Sequence, residues 1–339
     1  MKMFLLNAQN KEQLCELLLR VWTSAEAVSR LKKCGKSLFV LGGKVFELFV
    51  HGDQVQTREL HELYSNQEES DTRVILYLRH AEKLGHESAI VRTPDSDLFF
   101  LLLYHSHHIS LRIFLDVGVG KHRKIVDVSD LASSFGKEYC STLLGFYVFT
   151  GEDCTSAFKG KGKVGPLKKL QKQPKFQKAF ANLGEEWTVS EDLLQCLEAF
   201  TCLIYGYPRI ACLNEVRVQM LKKMVGEDDN LTSKSKVDIS RLPPCKNAHT
   251  PHVQRVNYCV ALYKTAPVAI IEKPKPTEGH GWLKIGDHIE PQWSLGPILP
   301  PSLVDVLEMT YHETVEDEED VFDELNYEDL LEYLDDDDD

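Results

Sequence analysis

SAIVRTPDSDLFFLLLYH, residues 88–105, is the stretch whose reading decides the fold. Ser88 to Arg92 is a short apolar run and is expected to form a buried strand. Leu98 to Tyr104 then reads as a short helix running away from the strand's carboxyl end, with Pro94 just ahead of it. The junction carries Asp95 and Asp97. In an open α/β sheet ligands collect beyond the carboxyl ends of the strands, so these two acids stand where chemistry is expected.

Working outward, Ser65 or Asn66 can cap a helix whose apolar face is Val74, Ile75, Leu78, Ala81 and Leu84, closed by Gly85. Leu111 to Val117 is the next strand. A turn over 118–122, a strand Lys124 to Val128 and helices Asp130 to Phe135 and Lys137 to Phe149 follow. This βαβα rhythm predicts an α/β domain with a mainly parallel sheet covered by helices. Toward the amino end, 11–33 has helical apolar spacing, and Ser37 to Leu41 and Phe46 to Val50 read as strands divided by Gly42-Gly43. Beyond Gly165 helices dominate: Lys175 to Leu183, Ser190 to Tyr205, Cys212 to Val225 and Pro251 to Tyr263, with 226–248 as a connecting loop. The expected organisation is an α/β domain over 1–165, a helical extension over 166–263, a Pro- and Gly-rich wrap over 264–312 bearing Trp282 and Trp293, and an acidic tail over 313–339.

The chain of 339 residues, 43% hydrophobic and 27% charged, is long enough to bury a substantial core. No apolar run approaches the roughly 18 to 20 residues of a membrane span, and the first residues turn polar too early for a secretory signal. A nuclear or cytoplasmic location is expected, with no membrane partner. Nine cysteines without a CxxC pair fit reduced, mostly buried thiols. The net charge of -13 belongs to the tail, which holds 16 acids and no Lys or Arg; the rest has 39 basic against 36 acidic residues. Lys159 to Lys178 contains eight lysines and no acid, a stretch that attracts a nucleic-acid backbone. Lys159, Lys161, Lys163, Lys168 and Lys169 are its candidate contacts. The tail's acids alternate with apolar and aromatic residues, and it reads as a solubilising end or as a segment that docks on a basic protein partner or on the chain's own lysines.

Three acidic groups recur at places a parallel α/β sheet brings together: Glu68, Glu69 and Asp71 at a helix start, Asp95 and Asp97 after a strand, and Glu152-Asp153 after a long apolar helix and Gly151. Each alone has a plain reading as a helix cap or dipole partner. Crowded at one edge, however, carboxylates repel unless a cation neutralises them, which implies Mg²⁺ or Mn²⁺. Two such ions about 3.5 to 4 Å apart suit phosphodiester hydrolysis.

The order of these groups resembles the second half of flap-endonuclease-like PIN-domain nucleases. More closely, EESDTR (68–73), RTPDSDLFFLLLYH (92–105) and LLGFYVFTGEDCTSAFKGKGK (143–163) resemble a PIN-like group of animal genome-repeat proteins, whose usual text runs near EEADTR, SPDTD and LTGCDTTSAF-GKGK. The resemblance covers about residues 60–165 and implies a PIN-like fold and a metal-dependent nuclease acting on DNA or RNA. It implies Glu69, Asp71, Asp95, Asp97 and Asp153 as metal ligands, Glu68 as a sixth, and Asp95, Asp97 and Asp153 as catalytic. The loop from Lys159 to Gly165 would be the turn that approaches the duplex backbone. Two departures stand out. PIN nucleases carry an Asp at the end of their first strand, whereas SLFVLGG and FELFV have none there and Asp53 lies in a loop; either the domain begins upstream or that ligand is lost. Glu152 also stands where the related group has Cys. The rival expectation is a catalytically silent scaffold that binds through its lysines and tail.

His105, His107 and His108 match no standard metal spacing and are expected at the surface. There is no nucleophile elbow and no phosphate-binding loop, so acyl chemistry and nucleotide cofactors are not expected.

Overall fold

The computed structural model describes residues 8–41, 44–93, 95–225 and 238–296. Gly42-Gly43, Pro94, most of the 226–248 loop and the acidic tail lie outside them. The described residues up to Trp293 form one compact unit.

The amino-terminal helical pattern resolves into two helices, α1 (Ala8–Trp22) and α2 (Ala25–Cys34), followed by an antiparallel meander of β1 (Leu38–Leu41), β2 (Val45–His51) and β3 (Gln54–Glu59). The β2–β3 turn closes through Gly52, whose φ of 62° suits a residue without a side chain. Strand β3, with QVQTRE and one weakly apolar face, lacks the alternation that flags a strand, and sequence reasoning missed it.

The next helix, α3 (Ser70–Lys83), starts later than expected. Ser65 and Asn66 do not cap it, because the chain ahead of α3 is committed elsewhere. The Asn66 amide donates to the Ile271 carbonyl at 2.9 Å and accepts from the Ile271 N–H at 2.9 Å, while Gln67 Nε2 donates to the Ala266 and Val268 carbonyls. These bonds pin the start of α3 to a segment some two hundred residues later.

Strand β4 (Ser88–Arg92), helix α4 (Ser96–His105) and strand β5 (Arg112–Val117) form the expected unit, and β4 pairs parallel to β5 from Ser88↔Arg112 to Arg92↔Asp116. The following β6 (Lys124–Asp127) pairs antiparallel to β5. The architecture is thus mixed α/β with small sheets; the mainly parallel sheet is corrected to one parallel pair among the described residues. Nor is β4 buried: it is an edge strand, with Ile90 66% exposed.

Helices α5 (Val128–Phe135) and α6 (Lys137–Phe149) follow, and every residue from Cys140 to Phe149 is buried. A helix apolar on all sides must be enclosed. Around α6 pack α4, α8 (Pro174–Asn182), α9 (Glu191–Ile204) and α11 (Lys246–Lys264), while α7 (Val164–Leu170) and α10 (Leu213–Val225) complete the helical part. Helix α8 lies so close to α6 that a side chain on Gly145 would meet the Phe180 carbonyl oxygen at 2.3 Å. A single core runs from Ile75 to Ala266, so the stretches 1–165 and 166–263 are built on shared packing. Helix α11 begins five residues before Pro251, which sits inside it. Residues 264–293 lie over the body, with Arg255 donating to the Gly281 and Gln292 carbonyls and a short hairpin, β7 (Trp282–Ile285) and β8 (His288–Pro291), at their end. Among the described residues no helix is long and apolar enough to cross a membrane.

The turn after α6 is built on Gly151, with φ 106° and Ala157 packed 2.8 Å from where its Cβ would stand. Gly151→Ala is expected to cost about 2 kcal/mol or more through backbone strain and overlap. Urea denaturation checks this, and an unchanged midpoint would show that the turn relaxes.

Candidate functional site

Asp95 and Asp97 are delivered by the break between β4 and α4. Asp95 caps α4: its Oδ1 accepts the Asp97 N–H at 3.0 Å, and its own N–H donates to Thr93 Oγ1 at 3.0 Å. The bland capping role is therefore real, and it fixes this carboxylate in place. Asp97 accepts a hydrogen bond from the Tyr147 hydroxyl, which also lies 2.9 Å from Ser96 Oγ. Tyr147 comes from α6 and its ring stacks on Phe100 with centroids 4.1 Å apart, so the core of the domain orients Asp97.

Glu69 and Asp71 come from the start of α3. Burial holds the Asp71 carboxyl above its ordinary range, and the charges of Asp95, Asp97 and Glu69 push the same way. Burial likewise raises Asp97, with Asp95 and Asp153 adding to it and the Tyr147 hydroxyl and Lys163 opposing. Asp153 sits exposed in the turn after α6. Asp71 thus stands within electrostatic reach of Glu69, Asp95 and Asp97, and Asp97 within reach of Asp95 and Asp153, acids that come from three separate segments. Burial raises Glu152 too, reinforced by Asp97 and Asp153. Among the described residues no three of these carboxylates close to within 4.8 Å; the trio of potential ligand atoms that does is Glu152, Cys154 and Cys259.

Three other acids are placed apart. Glu68 pairs with Lys273 at 3.0 Å. Asp53 pairs with Lys32 at 2.5 Å in the exposed β2–β3 turn. Asp116, buried in β5, is held in a two-pronged bond by Arg123 at 2.8 and 2.9 Å, which lowers its carboxyl and makes this a structural pair.

The lysines divide by role. Lys163 Nζ reaches back to the end of α6, donating to the Tyr147 and Gly151 carbonyls and to Thr150 Oγ1, and lies 4.1 Å from the Tyr147 ring centroid. A cation is favourable at a helix carboxyl end. Burial lowers its pKa, against the pull of Asp97 and Glu152. Lys169 serves α9 in the same way, through the Leu203 and Ile204 carbonyls. Lys161 covers the Tyr205 ring at 4.2 Å. Lys159, bonded to Ser240 Oγ at 2.6 Å, and Lys168 are exposed. The eight-lysine stretch is therefore not one uniform binding face. Lys163→Met is expected to cost about 1 to 2 kcal/mol of stability by uncapping α6, whereas Lys168→Met should stay within about 0.5 kcal/mol. Thermal or urea unfolding of the pair separates the roles; equal losses would refute the division.

The histidine cluster is corrected at His105, which is fully buried and donates from Nε2 to the Tyr263 carbonyl at 2.8 Å. Sequence reasoning also missed Tyr147, Tyr263 and Cys259. Tyr147 is hidden in an apolar helix, and the other two lie a hundred residues beyond the last motif. Tyr263 donates its hydroxyl to Glu152 Oε2 at 3.3 Å. A cavity of about 400 Å³ opens beside the acids, lined by Glu69, Thr72, Cys154, Cys259, Tyr263 and Trp282 among others.

The chain matches no family model, and no curated protein or solved structure is significantly similar to it.

Proposed function

We propose that the protein is a PIN-like nuclease that hydrolyses phosphodiester bonds of DNA or RNA with Mg²⁺ or Mn²⁺. The observation that carries this reading is that acids from three segments crowd on two half-buried carboxyls, with Glu69, Asp95 and Asp97 raising Asp71 and Asp95 and Asp153 raising Asp97. A donor set made of carboxylate oxygens suits hard divalent ions.

Mg²⁺ or Mn²⁺ held by these five residues supplies, when bound, the positive charge that polarises a phosphodiester and acidifies water. The chain's own part is positional. Asp95 is immobilised as the α4 cap and Asp97 by Tyr147. Lys163 anchors the turn that carries Asp153 and adds a positive charge beside Asp97. Exposed Lys159 and Lys168 are left to meet phosphates, each expected to account for about one unit of the salt dependence of nucleic-acid binding. The ion pair of Glu68 with Lys273 engages its carboxylate elsewhere and argues against a sixth ligand. A nuclear or cytoplasmic place of action belongs to the same reading.

One observation favours the silent scaffold as a second reading: among the described residues no aspartate ends the first strand, β1, and Asp53 is engaged by Lys32. The experiment that decides is Mn²⁺-dependent cleavage of flapped and single-stranded substrates, with Asp95→Ala and Asp97→Asn as controls. Cleavage lost in both variants supports the nuclease, and binding without cleavage supports the scaffold.

A further inference from the structure

The carboxylate cluster has a chemically different neighbour. Cys154 lies one residue beyond Asp153 in the turn after α6, and Cys259 lies on the face of α11 that also presents Tyr263, one helical turn on. Potential ligand atoms of Glu152, Cys154 and Cys259 all lie within 4.8 Å of one another. Two sulfurs and one carboxylate oxygen are a poor set for Mg²⁺ and a good one for a borderline-soft ion.

We infer that Glu152, Cys154 and Cys259 form a second metal site, for Zn²⁺ or an ion of similar softness, beside the carboxylate cluster. Glu152 Oε1 is buried and has no hydrogen-bond partner, an uncompensated acceptor that a cation would satisfy. Its other oxygen is oriented by the Tyr263 hydroxyl at 3.3 Å, the kind of outer contact that fixes a metal ligand. The turn is rigid: Thr155 Oγ1 donates to the Val148 carbonyl at 2.6 Å and accepts from the Glu152 N–H at 3.1 Å. Around a tetrahedral zinc, with bonds of about 2.0 to 2.3 Å, ligand atoms stand roughly 3.3 to 3.8 Å apart, so closing the trio takes shifts of about 1 Å. The exposed Cys154 side and the 400 Å³ cavity, which both cysteines line, give the ion a way in and leave room for a water as fourth ligand. The site rests on these contacts and stands whether or not the protein cleaves nucleic acid.

The test is metal binding by the purified, reduced full chain. Expected are uptake of a single equivalent of Zn²⁺ and, with Co²⁺ in its place, a thiolate-to-metal charge-transfer band in the near ultraviolet. Cys154→Ser, an exposed position, and Cys259→Ser should each weaken Zn²⁺ binding by about a hundredfold or more and remove the band, and Glu152→Gln should weaken binding. Asp95→Ala should keep both signals while losing cleavage, which separates this site from the nuclease reading. The proposal is overturned if reduced protein shows no band, if the band survives Cys154→Ser, or if Cys154 and Cys259 are recovered only as a disulfide in protein that takes up no metal after reduction.

Discussion

Asp97→Asn is expected to lower Mn²⁺-dependent cleavage of a flapped substrate by about a thousandfold or more, the few kcal/mol that a lost metal-binding oxygen withdraws from a charged transition state. The same change should leave the fold intact and, in EDTA, slightly firmer. Asp97 is held above the usual carboxylate range by burial and by Asp95 and Asp153. A carboxylate whose folded pKa lies above its unfolded one loses stability as pH rises from the ordinary range through the folded value, so at neutral pH that cost is fully present. Removing the charge relieves it, by about 1 kcal/mol at most, because Asp97 is only half-buried and solvent screens part of the repulsion. With Mn²⁺ the order should reverse, since the wild type gains binding energy that the variant lacks. Urea midpoints of both proteins in EDTA and in Mn²⁺, beside the cleavage assay, read the two halves of the expectation. Equal cleavage by wild type and variant would sink the nuclease reading. A variant weaker in EDTA would show that the Tyr147 bond outweighs the repulsion.

Much of the centre of the fold was legible because it is strongly punctuated. A short apolar run, the Asp95-x-Asp97 junction and a second apolar run place β4 and α4 within a residue or two, and Gly151 marks the end of α6. The placing of the three acidic groups was legible for the same reason: each stands at a strand or helix end. What was not legible depends on partners far along the chain. Nothing local tells Lys124–Asp127 to pair antiparallel, since a four-residue strand carries its direction only in the loop that returns it. Ser65 and Asn66 look like caps until the 266–271 segment claims the Asn66 side chain. Lys163 counts as one of eight surface lysines until the end of α6 is seen to need a donor. Composition likewise hides Cys259, a buried thiol on α11 that meets Cys154 only through the fold; there the fully buried Cys259 thiol is pushed well above its ordinary range by its hydrogen bond with Cys154, whose own thiol is held lower by the same contact.

Mild acid should unfold the protein, and three buried imidazoles are the cause. Burial pushes His105 down to about 4, with His108 and Arg79 adding to the effect. His252 is pushed to about 4 by burial and by Arg255, and His249 to about 3 by burial and by His252. All three are neutral and hydrogen-bonded: His105 to the Tyr263 carbonyl, His252 to the Phe149 carbonyl at 3.1 Å, and His249 to Thr201 Oγ1 at 2.9 Å. Each folded pKa lies below the unfolded value of about 6.5, so the unfolded chain binds more protons between those limits. Stability is therefore complete above pH 6.5 and falls as pH drops toward 4. The slope is about 1.4 kcal/mol per pH unit for each histidine, so roughly 6 kcal/mol is lost by pH 5 if all three stay neutral in the fold. That is comparable with the whole stability of an ordinary domain. The raised carboxyls of Asp71, Asp97 and Glu152 run the other way, gaining stability on acidification, but they are more exposed and can offset only part of it. Urea midpoints at pH 7.5, 6.5 and 5.5 should fall steeply over the last interval. His252→Gln, which keeps a donor for the Phe149 carbonyl, should remove about a third of the slope. A flat profile would mean that the imidazoles take up protons inside the fold, and a slope unchanged in the variant would clear His252 of its share.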